Sequence, residues 1–391
     1  LTVPVYKTFK YRVYPDEAQE QRLLSWENTL RFLWNLALEQ HLMGMRRCKG
    51  EKVYPTAFDQ IKQLKHLRAE HDWIRDVPRD VATQTLMTLE KAWKRCFKGV
   101  SKAPRFKKKG RHRMAMTEPR ACKLEGSRLQ FPKVGRMKIV VHRPFEGKMK
   151  SVTIVRDADH WYACLLSEVE HGAPGLSDER SIGIDRGITY FAADSDGRLI
   201  KSPRPLKRSL EQLRRAHKKL SRKKKGSANF LKQKKKLARL HRRVRQQRRH
   251  FLHELSTFYA RNYSRVVIED LRVRNMIRNP FLARHIADAG WSQFRGMLAY
   301  KLEWNGGELI EVEPAYTSQT CSVCGYTDEA SRDGEDFFCT SCGFYSQADL
   351  NAATIILGRG NASALPVEGS CVGIPVKQES PSGQALRGSL L

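Results

Sequence analysis

The sequence predicts an α+β protein of several domains, and three observations predict it. A strand-like alternation at residues 1–14 returns at 129–168 after a stretch of helical periodicity. From about residue 179, buried-type strands alternate with long helices. Two CxxC pairs then interrupt this second region between Cys321 and Cys342. At 391 residues, 40% of them hydrophobic, the chain is long enough to bury more than one core.

The elements follow in order. "LTVPVYKTFKYRVYP" alternates as a strand and lacks the apolar run of a secretory or twin-arginine signal. "YPDEAQ" opens a helix, with Asp16 as N-cap and Gln19 three residues on. Leu23, Trp26, Leu30, Leu33 and Ala37 recur at helical spacing, which makes one apolar face for a core. A second helix is expected over Asp80–Phe97, so residues 16–100 are expected to form a small helical block. "APRFKKKGRHR" (Ala103–Arg113) is either a solvated loop or a loop that contacts phosphates. "MKIVVHR", "KSVTIVR" and "WYACLLSE" are strands separated by the turn signals "PFEG" and "DADH". They form a small antiparallel sheet or barrel that the N-terminal strand can join.

A break at "HGAPGLSDER" precedes "SIGIDRGITYFAADSDGRLI", which reads as two strands joined at "DSDG". Lys207–Arg249 holds 20 Lys/Arg and one acid, Glu211, with a sparse apolar seam of Leu206, Leu210, Leu213, Leu220, Leu237, Leu240 and Val244. Two basic helices are expected here, broken at "KKKGSAN". "RVVIEDL" is a buried-type strand ending in carboxylates, "WSQFRGMLAYKLEWNG" an amphipathic helix and "GELIEVEPAYTSQ" another strand. The tail after Gly358 lacks periodicity and is rich in Gly, Ser and Pro, so residues 359–391 are expected to be disordered.

Charge narrows the partners. Lys+Arg 72 against Asp+Glu 41 gives +31, which repels itself on a folded body unless a polyanion is near. Like charges one turn apart destabilise a free helix, so the basic helices call for such a partner. Nucleic acid is the leading candidate. An anionic membrane is the weaker one, because no long apolar segment could span or anchor. Five cysteines are scattered (Cys48, Cys96, Cys122, Cys164, Cys371) and four are clustered, a usage that fits a reducing cytoplasm and a metal site.

Two constellations carry chemistry. Cys321-x2-Cys324 and Cys339-x2-Cys342 lie fourteen residues apart, and each pair brings two thiolates to one tetrahedral ion. Four sulfur ligands leave no place for water, so this is a structural Zn²⁺ site; a redox pair would not need four cysteines. Asp185, Glu269 and Asp349 form the second constellation. Each sits at the end or start of an apolar element, where all three can face one cleft. Clustered carboxylates repel unless cations neutralise them, and hard ions such as Mg²⁺ take oxygen ligands. Two ions about 3.5–4 Å apart can activate water and stabilise a leaving oxygen in phosphodiester cleavage. A lone acid at a strand end is usually just solvated; three in this order resemble a RuvC-type nuclease rather than a DDE transposase. The sequence contains no P-loop and no HExxH, and "HFLHEL" has the wrong spacing.

The motifs "YKTFKYRVYPDEAQ", "APRFKKKG", "SIGIDRGI", "VVIEDL", "VEPAYTSQTCSVCG" and "ADLNAA" together resemble the TnpB family of insertion-sequence-encoded, RNA-guided nucleases, across almost the whole chain. The resemblance implies catalytic, Mg²⁺-binding carboxylates at Asp185, Glu269 and Asp349, and zinc ligands at Cys321, Cys324, Cys339 and Cys342. It implies a wedge-like β-barrel (1–15 and 105–178) with an inserted helical recognition block (16–104). An RNase H-like (RuvC) α/β domain (179–316 and 346–358) follows, with an inserted zinc ribbon (317–345). It implies a guide RNA from the transposon end and double-stranded target DNA, cleaved beside a short motif that the protein reads, with one RNA per monomer in the cytoplasm at the nucleoid. Arg105, Lys107, Lys108, Lys109, Arg111, Arg222, Lys223, Lys224, Arg242 and Arg243 are the expected nucleic-acid contacts. A cleavage-free RNA-guided repressor and a transposase accessory protein are the alternatives. One departure is visible: Gln347 stands where the family often has His or an acid.

Overall fold

A computed structural model gives the fold and describes residues 3–47, 54–171 and 180–363. The chain opens with β1 (Val3–Tyr14) and turns into a helix at a reciprocal cap. The Asp16 amide donates to Gln19 Oε1 at 3.0 Å, and the Gln19 amide donates to Asp16 Oδ1 at 2.8 Å. The helix, α1 (Glu17–Arg47), runs 31 residues and buries Leu23, Trp26, Leu30, Leu33 and Ala37, as their spacing predicts. Beyond it lie α2 (Ala57–Glu70), α3 (Asp72–Arg75) and α4 (Arg79–Phe97). Of these three only α4 is expected from the apolar periodicity, although a Thr56–Asp59 capping box marks the start of α2.

Six strands follow: β2 (Met116–Glu118), β3 (Lys123–Glu125), β4 (Arg128–Phe131), β5 (Gly135–Val140), β6 (Lys148–Asp157) and β7 (His160–His171). With β1 they make one antiparallel sheet in the order β2-β6-β7-β1-β5-β4-β3. β1 pairs with β7 from Val3↔His171 to Val13↔Trp161, and with β5 on its other edge. The N-terminal strand is therefore central, and the helices are inserted between it and its partners. Among the described residues the terminal strands β2 and β3 do not pair, so of the two forms the strand pattern allows, sheet or barrel, the open sheet is the one formed. The helical block covers one face, and the core joins Trp26, Leu30 and Trp93 to Phe131, Ile154 and Leu165. Within this interface the buried Glu27 accepts from Arg156 at 2.6 Å.

The second half starts with β8 (Ser181–Asp185), β9 (Tyr190–Asp194) and β10 (Leu199–Lys201). The sequence reading counted two strands here. The chain instead turns between Asp185 and Tyr190, where Gly187 comes so close that a Cβ would lie 2.9 Å from the Tyr190 carbonyl oxygen. Then α5 (Pro205–Ser221) and α6 (Ala228–Asn262) form a basic hairpin, closed by Leu206, Leu213, Leu220, Leu237, Leu240 and Val244 of the predicted seam, while Leu210 is half-buried outside that cluster. β11 (Arg265–Glu269), α7 (Val273–Met276), α8 (Ala283–Ala289), α9 (Trp291–Trp304) and β12 (Glu308–Val312) complete a sheet ordered β10-β9-β8-β11-β12. β8, β11 and β12 run parallel, and β9 and β10 add an antiparallel edge.

After β12 come three short strands, β13 (Arg332–Asp333), β14 (Asp336–Phe338) and β15 (Tyr345–Gln347), and then α10 (Ala348–Ser363). Residues 359–363 were expected in a disordered tail but continue α10, because Ile356 and Gly360 keep the helix pinned to β11. Residues 364–391 of that tail lie outside the described residues. The two halves are tied by salt bridges from α6 to the β6–β7 turn: Arg239 to Asp159 at 2.6 Å and Arg245 to Asp157 at 2.5 Å.

Candidate active site

Asp185 ends β8, Glu269 ends the adjacent parallel strand β11, and Asp349 lies in the first turn of α10. Parallel strands present their C-terminal ends on one edge, where crevices of open α/β sheets form. The acids come from segments 84 and 80 residues apart (269 − 185 and 349 − 269), and the fold gathers them there. The Asp349 carboxylate sits over the β8–β9 turn, with Oδ2 3.7 Å from where a Cβ on Gly187 would be.

The electrostatics show that they meet. Burial first, then the charges of Glu269 and Asp349, push the Asp185 carboxyl up to about 7. Burial also raises Glu269, which is 7% exposed. Three cationic or polar groups partly compensate, and none of them was found from the sequence. Thr317 Oγ1 donates to Glu269 Oε1 at 2.6 Å. Arg332 Nη2 donates to Asp349 Oδ1 at 3.0 Å. The buried Arg186 donates to the Glu269 carbonyl oxygen, and its charge lies close to both Glu269 and Asp185. Arg186 follows directly in "IGIDRG", and its place in that motif was the one available signal.

The donor set fits hard divalent ions: three carboxylates, no sulfur and no imidazole. The three do not form one tight shell. Among the described residues only the four cysteines bring three or more such ligand atoms within 4.8 Å of one another. Arg332 bonds one of them, Asp349, at 3.0 Å.

The cysteines fit a single tetrahedral ion. Sγ atoms of Cys321 and Cys342 lie 3.7 Å apart, and those of Cys324 and Cys339 lie 3.5 Å apart. Zinc–sulfur bonds of about 2.3 Å in a tetrahedron require roughly 3.8 Å. The Cys342 amide points at Cys339 Sγ and helps pull that thiol down to about 6, which favours the thiolate a metal needs. The cluster is joined to α10. The buried Asn351 accepts from the Ser322 amide at 2.9 Å and donates to the Thr320 carbonyl at 2.8 Å. Gln347, the departure noted above, caps the helix: its Oε1 accepts from the Leu350 amide at 2.9 Å.

The expected nucleic-acid contacts divide. Arg105, Lys108, Lys109, Arg111, Arg222, Lys223, Lys224 and Arg243 are exposed. Lys107 lies over the Trp34 ring at 4.6 Å, and its loop is pinned to α1 by Asn35. Arg242 donates to Tyr162 Oη at 3.2 Å and so helps dock α6 on the first sheet.

Comparison with known proteins bears on the fold and the family. A family profile named for OrfB of IS605 and described as "Probable transposase" matches residues 165–280. A "Cas12f1-like, TNB domain" profile matches 291–356. A third, described as a helix-turn-helix domain, matches 5–42, where the structure has a strand and one unbroken helix. The solved "Cas12f1-sgRNA-target DNA complex" shares the fold at a TM-score of 0.54 and 14% identity, covering 90% of this chain and 98% of that one. A Streptomyces pristinaespiralis protein named "Putative RNA-guided DNA endonuclease" is 33% identical, over 97% of this chain and 95% of its own. An Escherichia coli K12 protein, "Putative RNA-guided DNA endonuclease InsQ", is 34% identical over 95% of this chain and 97% of its own. Near-complete coverage at that identity decides the matter, and the chain belongs to the IS605 OrfB (TnpB) family.

Proposed function

We propose that this protein is a transposon-encoded, RNA-guided DNA endonuclease whose RuvC-like site is Asp185, Glu269 and Asp349. The observation that carries the reading is the convergence of these three acids at one sheet edge, with Asp185 raised first by burial and then by the charges of the other two. Divalent ions bound there, two Mg²⁺ in this reading, would polarise the scissile phosphate and lower the pKa of an attacking water. The chain's own part is positional. β8 and β11 fix two carboxylates on rigid strands, Thr317 orients Glu269, and Arg332 balances Asp349 until cations arrive.

The finer organisation belongs to the same reading. The open sheet (1–15 and 105–178) acts as the wedge, and residues 16–104 act as the recognition block. Residues 179–316 and 346–358 form the nuclease domain. Residues 317–345 form a Zn²⁺ ribbon of Cys321, Cys324, Cys339 and Cys342 inserted before α10. A guide RNA reads the target by base pairing, in the division of labour described for another RNA-guided nuclease. Arg105, Lys108, Lys109, Arg111, Arg222, Lys223, Lys224 and Arg243 hold phosphates; Lys107 and Arg242 serve that surface by shaping it. Among the described residues no helix is long and apolar enough to cross a membrane.

The test is cleavage of target plasmid by protein purified with its RNA. Cutting requires RNA and Mg²⁺, and nuclease-stripped protein is inactive. Bound RNA without cutting would favour an RNA-guided repressor instead. Raising salt from 50 to 200 mM weakens RNA binding about 1,000-fold, and replacing Arg222, Lys223 and Lys224 together by Ala flattens that salt slope by about 1 per lost contact. Unchanged slopes by filter binding remove the α5–α6 tip from the interface.

A further inference from the structure

We propose that Gly183 and Gly360 are positioning residues for the metal-binding carboxylates, a claim that rests on the nuclease reading above. α10 touches the sheet at two glycines. A Cβ on Gly183 would lie 2.2 Å from the Ala353 carbonyl oxygen, 2.6 Å from the Leu357 amide and 2.9 Å from Leu357 Cβ. A Cβ on Gly360 would lie 2.4 and 2.6 Å from the two Val267 methyls. A side chain at either place forces helix and sheet apart, and this is the close approach for which glycine is used inside elements.

The periodicities make these contacts a ruler for the site. Alternate strand residues share a face, so Gly183 and Asp185 point the same way, about 6.6 Å apart along β8. Residues four apart share a helix face, so Asp349 lies one turn, about 6 Å, before Ala353. Gly183 against Ala353 therefore sets Asp185 against Asp349. The second glycine does the same for the third acid. Val267 and Glu269 share a face of β11, and Gly360 seats the far end of α10 on Val267. α10 runs antiparallel to β8 and β11, with its first turn over their C-terminal ends. Lifting it by one methyl at either contact moves Asp349 away from both partners together.

The sequence already placed a glycine two residues before Asp185, but spacing alone gave it no task. A lone Gly in a strand is ambiguous until the backbone that approaches it is known.

Two variants test the assignment in the full chain with zinc bound. Mn²⁺ binding to the RNA-free protein is followed by electron paramagnetic resonance, and cleavage is followed in the RNA complex. Gly183→Ala is expected to weaken Mn²⁺ binding at least 10-fold. It should lower the cleavage rate constant about 100-fold and raise the Mg²⁺ concentration for half-maximal cutting, with target binding held within 2-fold. Gly360→Ala is expected to do the same more mildly, and adding Val267→Ala returns both readouts to within about 3-fold of the wild type. The rescue keeps the test sound if Gly183→Ala fails to fold. Wild-type Mn²⁺ binding in folded Gly183→Ala or Gly360→Ala overturns the proposal, as does a folded double variant with no rescue. If the wild type binds Mn²⁺ but cuts nothing, the nuclease reading fails while the metal measurements still decide the glycines.

Discussion

Asp185→Asn will abolish cleavage and, at neutral pH without divalent ions, make the protein more stable. The two effects have one cause. Asp185 shares a half-enclosed edge with Glu269 and Asp349, and burial plus their charge push it up to about 7. Ionising it there is unfavourable until a cation arrives. The amide keeps the shape and discards the charge, so the metal-free fold relaxes while the metal loses a ligand. In the proposed two-ion site, losing one ligand removes several kcal/mol of transition-state stabilisation, so the rate constant should fall at least ~1,000-fold. Guide RNA and target binding should persist, because the substitution touches no basic surface.

The sign of the pH dependence follows from linkage. The carboxyl of Asp185 is raised from 3.8 in the unfolded chain to about 7 in the metal-free fold, so the folded state holds the proton longer. Native stability is therefore unaffected by this group below pH 4, declines between about 4 and 7, and levels off above 7. The gap between variant and wild type should open over that window to at most about 4 kcal/mol. Calorimetry in chelator at pH 4 and pH 8 measures it. Saturating Mg²⁺ should reverse the order, since ligand that binds only the native wild type stabilises it by mass action. A variant that cuts within 10-fold of wild type, or that is less stable than wild type in chelator at pH 8, sinks the assignment of Asp185.

Much of this was legible beforehand, for identifiable reasons. Local signals carried the capped start of α1, the apolar runs of β6, β7 and β11, and the seam of the basic hairpin, because each is stated within one turn or one strand. α2 escaped because its apolar face is narrow: only Ala57, Gln60 and Leu64 are buried. β2, β3 and β4 escaped because three or four residues hold too little alternation to count. The three acids of the proposed site stand at element ends, where a sequence pattern can point to them. The groups that tune them could not be named beforehand, since Arg332 and Thr317 reach the site from the segment after β12, and only the folded chain brings it alongside α10. Arg242 shows the opposite failure. A basic run says that charge is wanted somewhere on a helix but not which arginine faces inward, and Tyr162 claims this one.

In the proposed reading, in which Cys321, Cys324, Cys339 and Cys342 hold zinc, losing the metal should cost cleavage as well as the fold of residues 317–345. Cys324→Ser is the cleanest probe, because Cys324 is exposed and serine there disturbs no packing, whereas Cys321 and Cys339 lie in the small core with Phe337 and Ala348. A structural zinc supplies folding energy outright, and a ribbon of two- and three-residue strands has little else to hold it. What the metal holds is tied to the catalytic helix at three points. Asn351 is bonded to Thr320 and Ser322 beside Cys321, the Ala348 amide donates to the Glu335 carbonyl at 2.8 Å, and Arg332 grips Asp349. When the knuckles open, all three release together and the first turn of α10 loses its anchorage while the glycine contacts farther along remain. The variant should therefore bind less than one zinc per chain, become protease-sensitive between residues 317 and 345, and cleave about 100-fold more slowly at saturating Mg²⁺. Its guide RNA affinity should not change. Asn351→Leu separates transmission from ribbon folding: it should keep the zinc yet lose about 10-fold in cleavage, because α10 then moves without its knuckle. Zinc-free protein that cuts at the wild-type rate would mean that α10 is held by the sheet alone, and the ribbon would then have no part in placing Asp349.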